Sequence, residues 1–144
     1  MIMKNKNTSQ TGKVVLYCRI GNADSERTEL QLNSLRMFAK NQGIVNCLEF
    51  QDNGYSGNNF DRPAFAKMNT TIESGEIGTV IVRSVDRIAR NFLLAEKWIN
   101  NLKSRGIKFV TMDGSHNPNL STLEIFEVMK AAQKRNKKTV SSIS

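Results

Sequence analysis

Val14-Val15-Leu16-Tyr17-Cys18-Arg19-Ile20 is a nearly unbroken apolar run, free of glycine and proline. A strand buried on both faces of a sheet needs such a run. A turn follows at Gly21-Asn22-Ala23-Asp24, then a helix over 25–42 with Leu32, Leu35, Phe38 and Ala39 on one face and Gly43 as its stop. Strand and helix go on alternating. The pattern predicts a strand over 44–50, a helix from Pro63 to about Gly75, a strand over 79–83, a helix over 91–105 and a strand over 107–112. Ser121 with Glu124 has the spacing of a capping box and opens a last helix that runs to about Arg135. This order predicts an α/β fold, a largely parallel sheet flanked by helices and followed by a long C-terminal helix.

The chain has 144 residues, which favours one domain with one sizeable core. No apolar run approaches the ~18 residues of a membrane span, and residues 1–10 carry no apolar signal-peptide core. Cys18 and Cys47 lie in expected strands as buried thiols, and no Cys/His spacing suggests zinc. These features read as a cytoplasmic, reduced protein with no metal. The formal charge of +8 comes from 21 Lys and Arg against 13 Asp and Glu. Residues 1–13 contribute +3 and residues 130–144 contribute +5, so the body is neutral. Net charge alone therefore does not establish a nucleic-acid partner.

Placement says more. Ligands of open α/β sheets bind beyond the carboxyl ends of the strands. Three segments reach such ends here: 19–22, 52–62 and 83–90. They bring Arg19, Arg62, Arg87 and Arg90 together with Asp52 and Asp86. Guanidinium forks match phosphate oxygens, and several of them would stabilise the charge of phosphoryl transfer. The acids would hold or orient the arginines, since no carboxylate cluster suggests a two-metal site. On spacing alone, surface ion pairs remain open for these arginines, and only an α/β domain with a phosphate site is supported.

The pieces Tyr17-Cys18-Arg19-Ile20-Gly21-Asn22, Leu30-Gln31, Asp52-Asn53-Gly54-Tyr55-Ser56-Gly57, Arg62-Pro63 and Val85-Asp86-Arg87-Ile88-Ala89-Arg90-Asn91 resemble the serine recombinases, the resolvase/invertase family. The likeness spans about residues 14–115. It implies a basic tail over 1–12, a resolvase-like catalytic domain over 13–117, an oligomerisation-type helix over 118–136 and a tail over 137–144. It also implies site-specific DNA recombination without metal or other cofactor. In that chemistry a serine hydroxyl attacks the phosphodiester, leaving a 5′-phosphoserine link and a free 3′-hydroxyl. On the matching positions, Arg19, Arg62, Arg87 and Arg90 would surround the phosphate, Asp86 would orient the arginines, and Gln31 and Asp52 would support the site. Ser56 would hold the loop signature. The implied partners are DNA and either further copies, as a homo-dimer or homo-tetramer, or an intact recombinase in a hetero-assembly. No membrane partner is implied.

The departures are as informative. The family's serine position is Gly21 here, Asn22 replaces the usual Ser/Thr, and Ser25 stands where the family has Gln. Glycine offers no nucleophile. Ser25 is the alternative nucleophile, though it reads more simply as a helix N-cap. Lys134 and Arg135 follow Ala132-Gln133 where the family carries a Glu, and with Lys137 and Lys138 they could touch the DNA backbone. No DNA-reading domain follows in this sequence. His116 reads as a surface residue and Trp98 as core. Three readings stand: an impaired recombinase component, a pseudo-recombinase acting as regulator or assembly partner, and a small phosphate- or nucleotide-binding α/β domain.

Overall fold

β1 (Lys13–Ile20) lies inside the sheet, paired in parallel with β2 (Cys47–Asn53) on one side and β3 (Ile77–Val82) on the other. β4 (Lys108–Thr111) adds to β3, again in parallel, and the order is β2-β1-β3-β4. The computed structural model describes residues 12–44 and 46–116. Helices α1 (Ser25–Asn41), α2 (Pro63–Glu73) and α3 (Phe92–Ser104) make the crossovers that parallel pairing requires. The expected α/β class with a parallel sheet is the one observed. The helix expected from Ser121 lies outside the described residues, as do Lys134, Arg135, Lys137 and Lys138.

Alternation along β1 feeds two cores. Val15 and Tyr17 face Phe65, Met68, Trp98 and Leu102, whereas Leu16, Cys18 and Ile20 face Leu32, Leu35 and Ala39 of α1. Phe65 is the hub of the first core, with ring centroids 5.5 Å from Tyr17, 4.8 Å from Phe60 and 5.3 Å from Trp98. Arg19, two residues after Tyr17, is completely buried.

Several expectations shift. β2 starts at Cys47, not residue 44, and runs on to Asn53, because its register against β1 pairs Tyr17 with Phe50 and Arg19 with Asp52. Asp52 thereby belongs to a strand end and not to a loop. The N-cap of α1 is Asp24, whose carboxylate accepts from the Arg27 N–H, so Ser25 is the first helical residue. Cys47 is half-buried on the edge strand while Cys18 is fully buried, and burial pushes the Cys18 thiol up to about 11. His116 is buried, not superficial: its ring lies edge-on to Phe109 at 5.1 Å, and among the described residues its Nδ1 has no hydrogen-bond partner. Burial, and then the Lys103 charge, hold its imidazole below the ordinary value.

Phe65→Ala should lower the unfolding free energy by about 3–5 kcal/mol in a urea titration, whereas truncating exposed Leu93 should change it by less than about 0.5 kcal/mol. The depressed His116 pKa means that the unfolded chain binds its proton first as pH falls. Its stabilising contribution is complete above about pH 6.5 and is lost as pH drops toward the lower folded value. The urea midpoint should therefore fall less between pH 7 and pH 5.5 in His116→Gln than in the unaltered chain (an acid limb of ordinary titrations remaining in both).

Candidate functional site

The site begins with a buried carboxylate at the end of β2. Asp52 Oδ1 accepts from the Ala64 N–H at 2.9 Å, and Oδ2 accepts from the Phe65 N–H at 3.0 Å and from the Tyr17 hydroxyl at 2.6 Å. It thereby caps α2, whose own N-cap residue, Arg62, makes no side-chain capping bond. The carboxylate faces the positive end of that helix.

Tyr17 passes the connection on. Its oxygen accepts from Arg62 Nη1 at 3.0 Å while its proton goes to Asp52. Burial, followed by the bond to Asp52, raises its pKa far above the ordinary phenol value, so it stays a neutral donor. Arg62 is itself buried, with its guanidinium carbon 4.4 Å from the centroid of the Phe65 ring. It also donates to the carbonyls of Asn59, Arg87 and Ile88.

Arg19 approaches the same segment from β1. Its Nε donates to the Arg87 carbonyl at 3.2 Å, Nη1 to the Tyr55 carbonyl at 3.1 Å and Nη2 to the Asp86 carbonyl at 2.8 Å. Arg19 and Arg62 thus meet at one carbonyl, that of Arg87, and clamp the 3₁₀ turn Val85–Arg87. Burial, then the charges of Arg62 and Arg87, lower the Arg19 pKa. The carbonyl dipoles are what make two buried cations tolerable here.

Gly57 is fixed by space. A Cβ there would lie 2.7 Å from Arg19 Nη2 and 2.9 Å from its Cζ. Its carbonyl accepts from the Arg90 N–H at 2.9 Å, and Arg90 itself is exposed. Arg87 is partly buried, its Nε has no hydrogen-bond partner, and the Asp86 carboxylate stands 4.0 Å away. That carboxylate accepts from the Ser84 hydroxyl; towards Arg19, Asp86 presents its carbonyl. Gly21 is exposed, and a Cβ added to it would find only Arg19 Nη1, at 3.9 Å.

Arg19, Arg62, Arg87, Asp52 and Asp86 therefore share one network, with Gly21 and Arg90 at its edge. Three other expected residues lie apart from it. Ser25 is exposed on the first turn of α1, and the Ser56 hydroxyl accepts from the Asn58 N–H within its own loop. Gln31 is buried on α1, its Oε1 without a hydrogen-bond partner among the described residues, and it lines a separate cavity with Arg27 and Arg83. Tyr17 and Gly57 are the two members that sequence reasoning gave no role. The i, i+2 spacing of Tyr17 and Arg19 was the available signal for Tyr17; no local signal marked Gly57 as a contact with an arginine. Among the described residues, no group of three His, Cys, Asp or Glu is gathered that could hold a metal ion.

Comparison with known proteins agrees with this architecture. The N-terminal catalytic domain of TP901-1 integrase superposes with a TM-score of 0.69 at 21% identity, covering 90% of this chain and 98% of that one. A resolvase family site-specific recombinase from Streptococcus pneumoniae superposes with a TM-score of 0.65 at 23% identity, covering 91% and 93%. The fold is therefore that of serine-recombinase catalytic domains. The family model "Resolvase, N terminal domain" matches residues 14–141, and the chain belongs to that family. A putative DNA recombinase of Bacillus subtilis (strain 168) is 23% identical over 120 residues, covering 83% of this chain. The chain spans about a quarter of the length of that curated relative, 24%.

Tyr17→Phe leaves Asp52 and Arg62 each short of a partner and should cost about 1–3 kcal/mol of stability. Gly57→Ala should cost a similar amount, about 1–3 kcal/mol, by driving Arg19 off its carbonyls. Gly21→Ala should stay within about 0.5 kcal/mol, because the space is open. Urea denaturation of the three variants ranks them directly.

Proposed function

We propose that this chain is the catalytic-domain part of a DNA recombinase that holds a DNA phosphodiester on its arginine edge and has lost the covalent step at position 21. The observation that carries this reading is the open space at Gly21, beside Arg19 Nη1. A side chain at position 21 would stand next to a guanidinium, and glycine supplies none. Arg19 is completely buried and commits three of its five N–H donors to carbonyls, and among the described residues Arg87 Nε makes no hydrogen bond, with the Asp86 carboxylate 4.0 Å away. Partly buried Arg87 and exposed Arg90 offer the guanidiniums suited to phosphate oxygens. Arg62, enclosed by Phe65 and three carbonyls, acts through the turn it positions.

In this reading the protein works in the cytoplasm as a DNA-holding subunit. Its partner is another copy or an intact recombinase that brings its own serine. Lys134, Arg135, Lys137 and Lys138 would add contacts to the DNA backbone.

The test uses supercoiled DNA carrying the crossover site of the protein's own element, in glycol to trap cleaved intermediates. The unaltered chain should bind this DNA and give no 5′-linked adduct, and Gly21→Ser should form one. An adduct from the unaltered chain that disappears in Ser25→Ala would overturn the loss of the covalent step and put the nucleophile on α1. Absence of DNA binding by both the unaltered chain and Gly21→Ser would overturn the recombinase reading itself and leave the small phosphate- or nucleotide-binding domain.

A further inference from the structure

Alternation along β1 places Tyr17 and Arg19 on one face of the sheet and Ile20 on the other. Beside Ile20, on the α1 side, a cavity of about 370 Å³ opens at the carboxyl ends of β1, β3 and β4. That volume falls within the range of small-molecule sites, about 300–1,000 Å³. Its walls are Ile20, Leu30 and Met112, and its polar members are Arg27, Gln31, Ser34 and Arg83.

Three observations point to a ligand. Gln31 is 94% buried on the 6% exposure it retains, yet among the described residues its Oε1 has no hydrogen-bond partner. A desolvated carbonyl oxygen is costly until a donor reaches it. Arg27 and Arg83 are exposed and, among the described residues, neither pairs with a carboxylate. Leu30 keeps 67% of its surface exposed at the same opening, an apolar wall that no other described residue covers.

We infer that this cavity is a nucleotide subsite. It takes one deoxynucleotide unit of a DNA strand, with its phosphate on Arg27 and Arg83 and an N–H of its base on Gln31 Oε1. The inference rests on the proposed DNA-holding function and deepens it. Gly21 follows Ile20 directly, so the subsite and the arginine network approach position 21 from opposite faces of the sheet. A strand whose phosphodiester lies on the network could thus seat its neighbouring nucleotide here. Leu30, Ile20 and Met112 would shield the faces of the base. Gln31 Oε1 would take the N–H of the base, so losing the base should cost affinity only while Gln31 is present.

The experiment follows backbone amide shifts of the full chain during titration with a single-stranded trideoxynucleotide, deoxycytidine monophosphate, deoxyribose 5-phosphate and inorganic phosphate. The trideoxynucleotide should saturate shifts at residues 27–34, 83 and 112, and bind more tightly than the monophosphate. Deoxyribose 5-phosphate should bind about tenfold more weakly than deoxycytidine monophosphate, and Gln31→Leu should remove that difference. Arg27→Gln with Arg83→Gln should weaken all of these by at least about tenfold, whereas Arg87→Gln should leave the shifts at 27–34 in place.

Shifts confined to residues 55–57 and 86–90 would overturn the subsite and leave the arginine network as the only nucleotide site. Equal affinity for the sugar phosphate and the nucleotide would overturn the base contact. A monophosphate that binds more tightly than the trideoxynucleotide would replace the DNA strand by a free nucleotide. Duplex binding measured alongside separates the two levels: if it persists while the subsite fails, the proposed function stands without it.

Discussion

One buried carboxylate organises this end of the molecule. Asp52 ends an edge strand, yet it is 2% exposed and satisfies two N–H groups of α2 and the Tyr17 hydroxyl. Through Tyr17 it is joined to Arg62, and through Arg62 to the carbonyl on which Arg19 also lands. A buried carboxylate is costly unless compensated, and here a helix terminus and a guanidinium one hydroxyl away compensate it. Such linked bonds strengthen one another in a low-dielectric interior, and a half-satisfied version would be worse than an apolar one. The network thus ties β1, β2, α2 and the 3₁₀ turn together at the carboxyl edge of the sheet.

That edge was partly legible in the sequence. β1 and β3 were found because strands buried on both faces read as continuous apolar runs, and α1 to α3 because their apolar positions recur at helical spacing. β2 was misplaced by three residues at its start. It is an edge strand in which Glu49 and Gln51 alternate with Leu48 and Phe50, and such a pattern fixes the face more firmly than the ends. The 3₁₀ turn was visible only as a motif, since nothing in Val85-Asp86-Arg87 shows that its carbonyls will be clamped from outside. His116 misled for a related reason: a polar residue beside Pro118 reads as loop, while its burial comes from Phe109, a contact the local sequence does not contain.

The arginines were legible as positions and not as partners. Four guanidiniums at strand ends suggest an anion, and each was assigned to phosphate alike. Their surroundings separate them. Arg62 is enclosed by aromatic rings and commits four of its five donors inside the protein, at the hydroxyl of Tyr17 and the carbonyls of Asn59, Arg87 and Ile88. Arg19 keeps two donors, Arg87 keeps its Nε, and Arg90 reaches solvent. Main-chain carbonyls leave no trace in a sequence, so a buried arginine that serves the backbone looks the same as one that waits for a ligand.

The two glycines of the site show the same ambiguity resolved in opposite ways. Gly57 is a glycine because Arg19 occupies the volume its Cβ would need. Gly21 is under no such constraint: nothing stands within 3.9 Å of its added Cβ. At Gly57 a larger residue would have to displace the Arg19 guanidinium, so packing alone explains the glycine there. At Gly21 packing does not demand the absence of a side chain, and an added Cβ would lie 3.9 Å from Arg19 Nη1. Packing therefore accounts for the glycine at position 57 and does not account for the one at position 21.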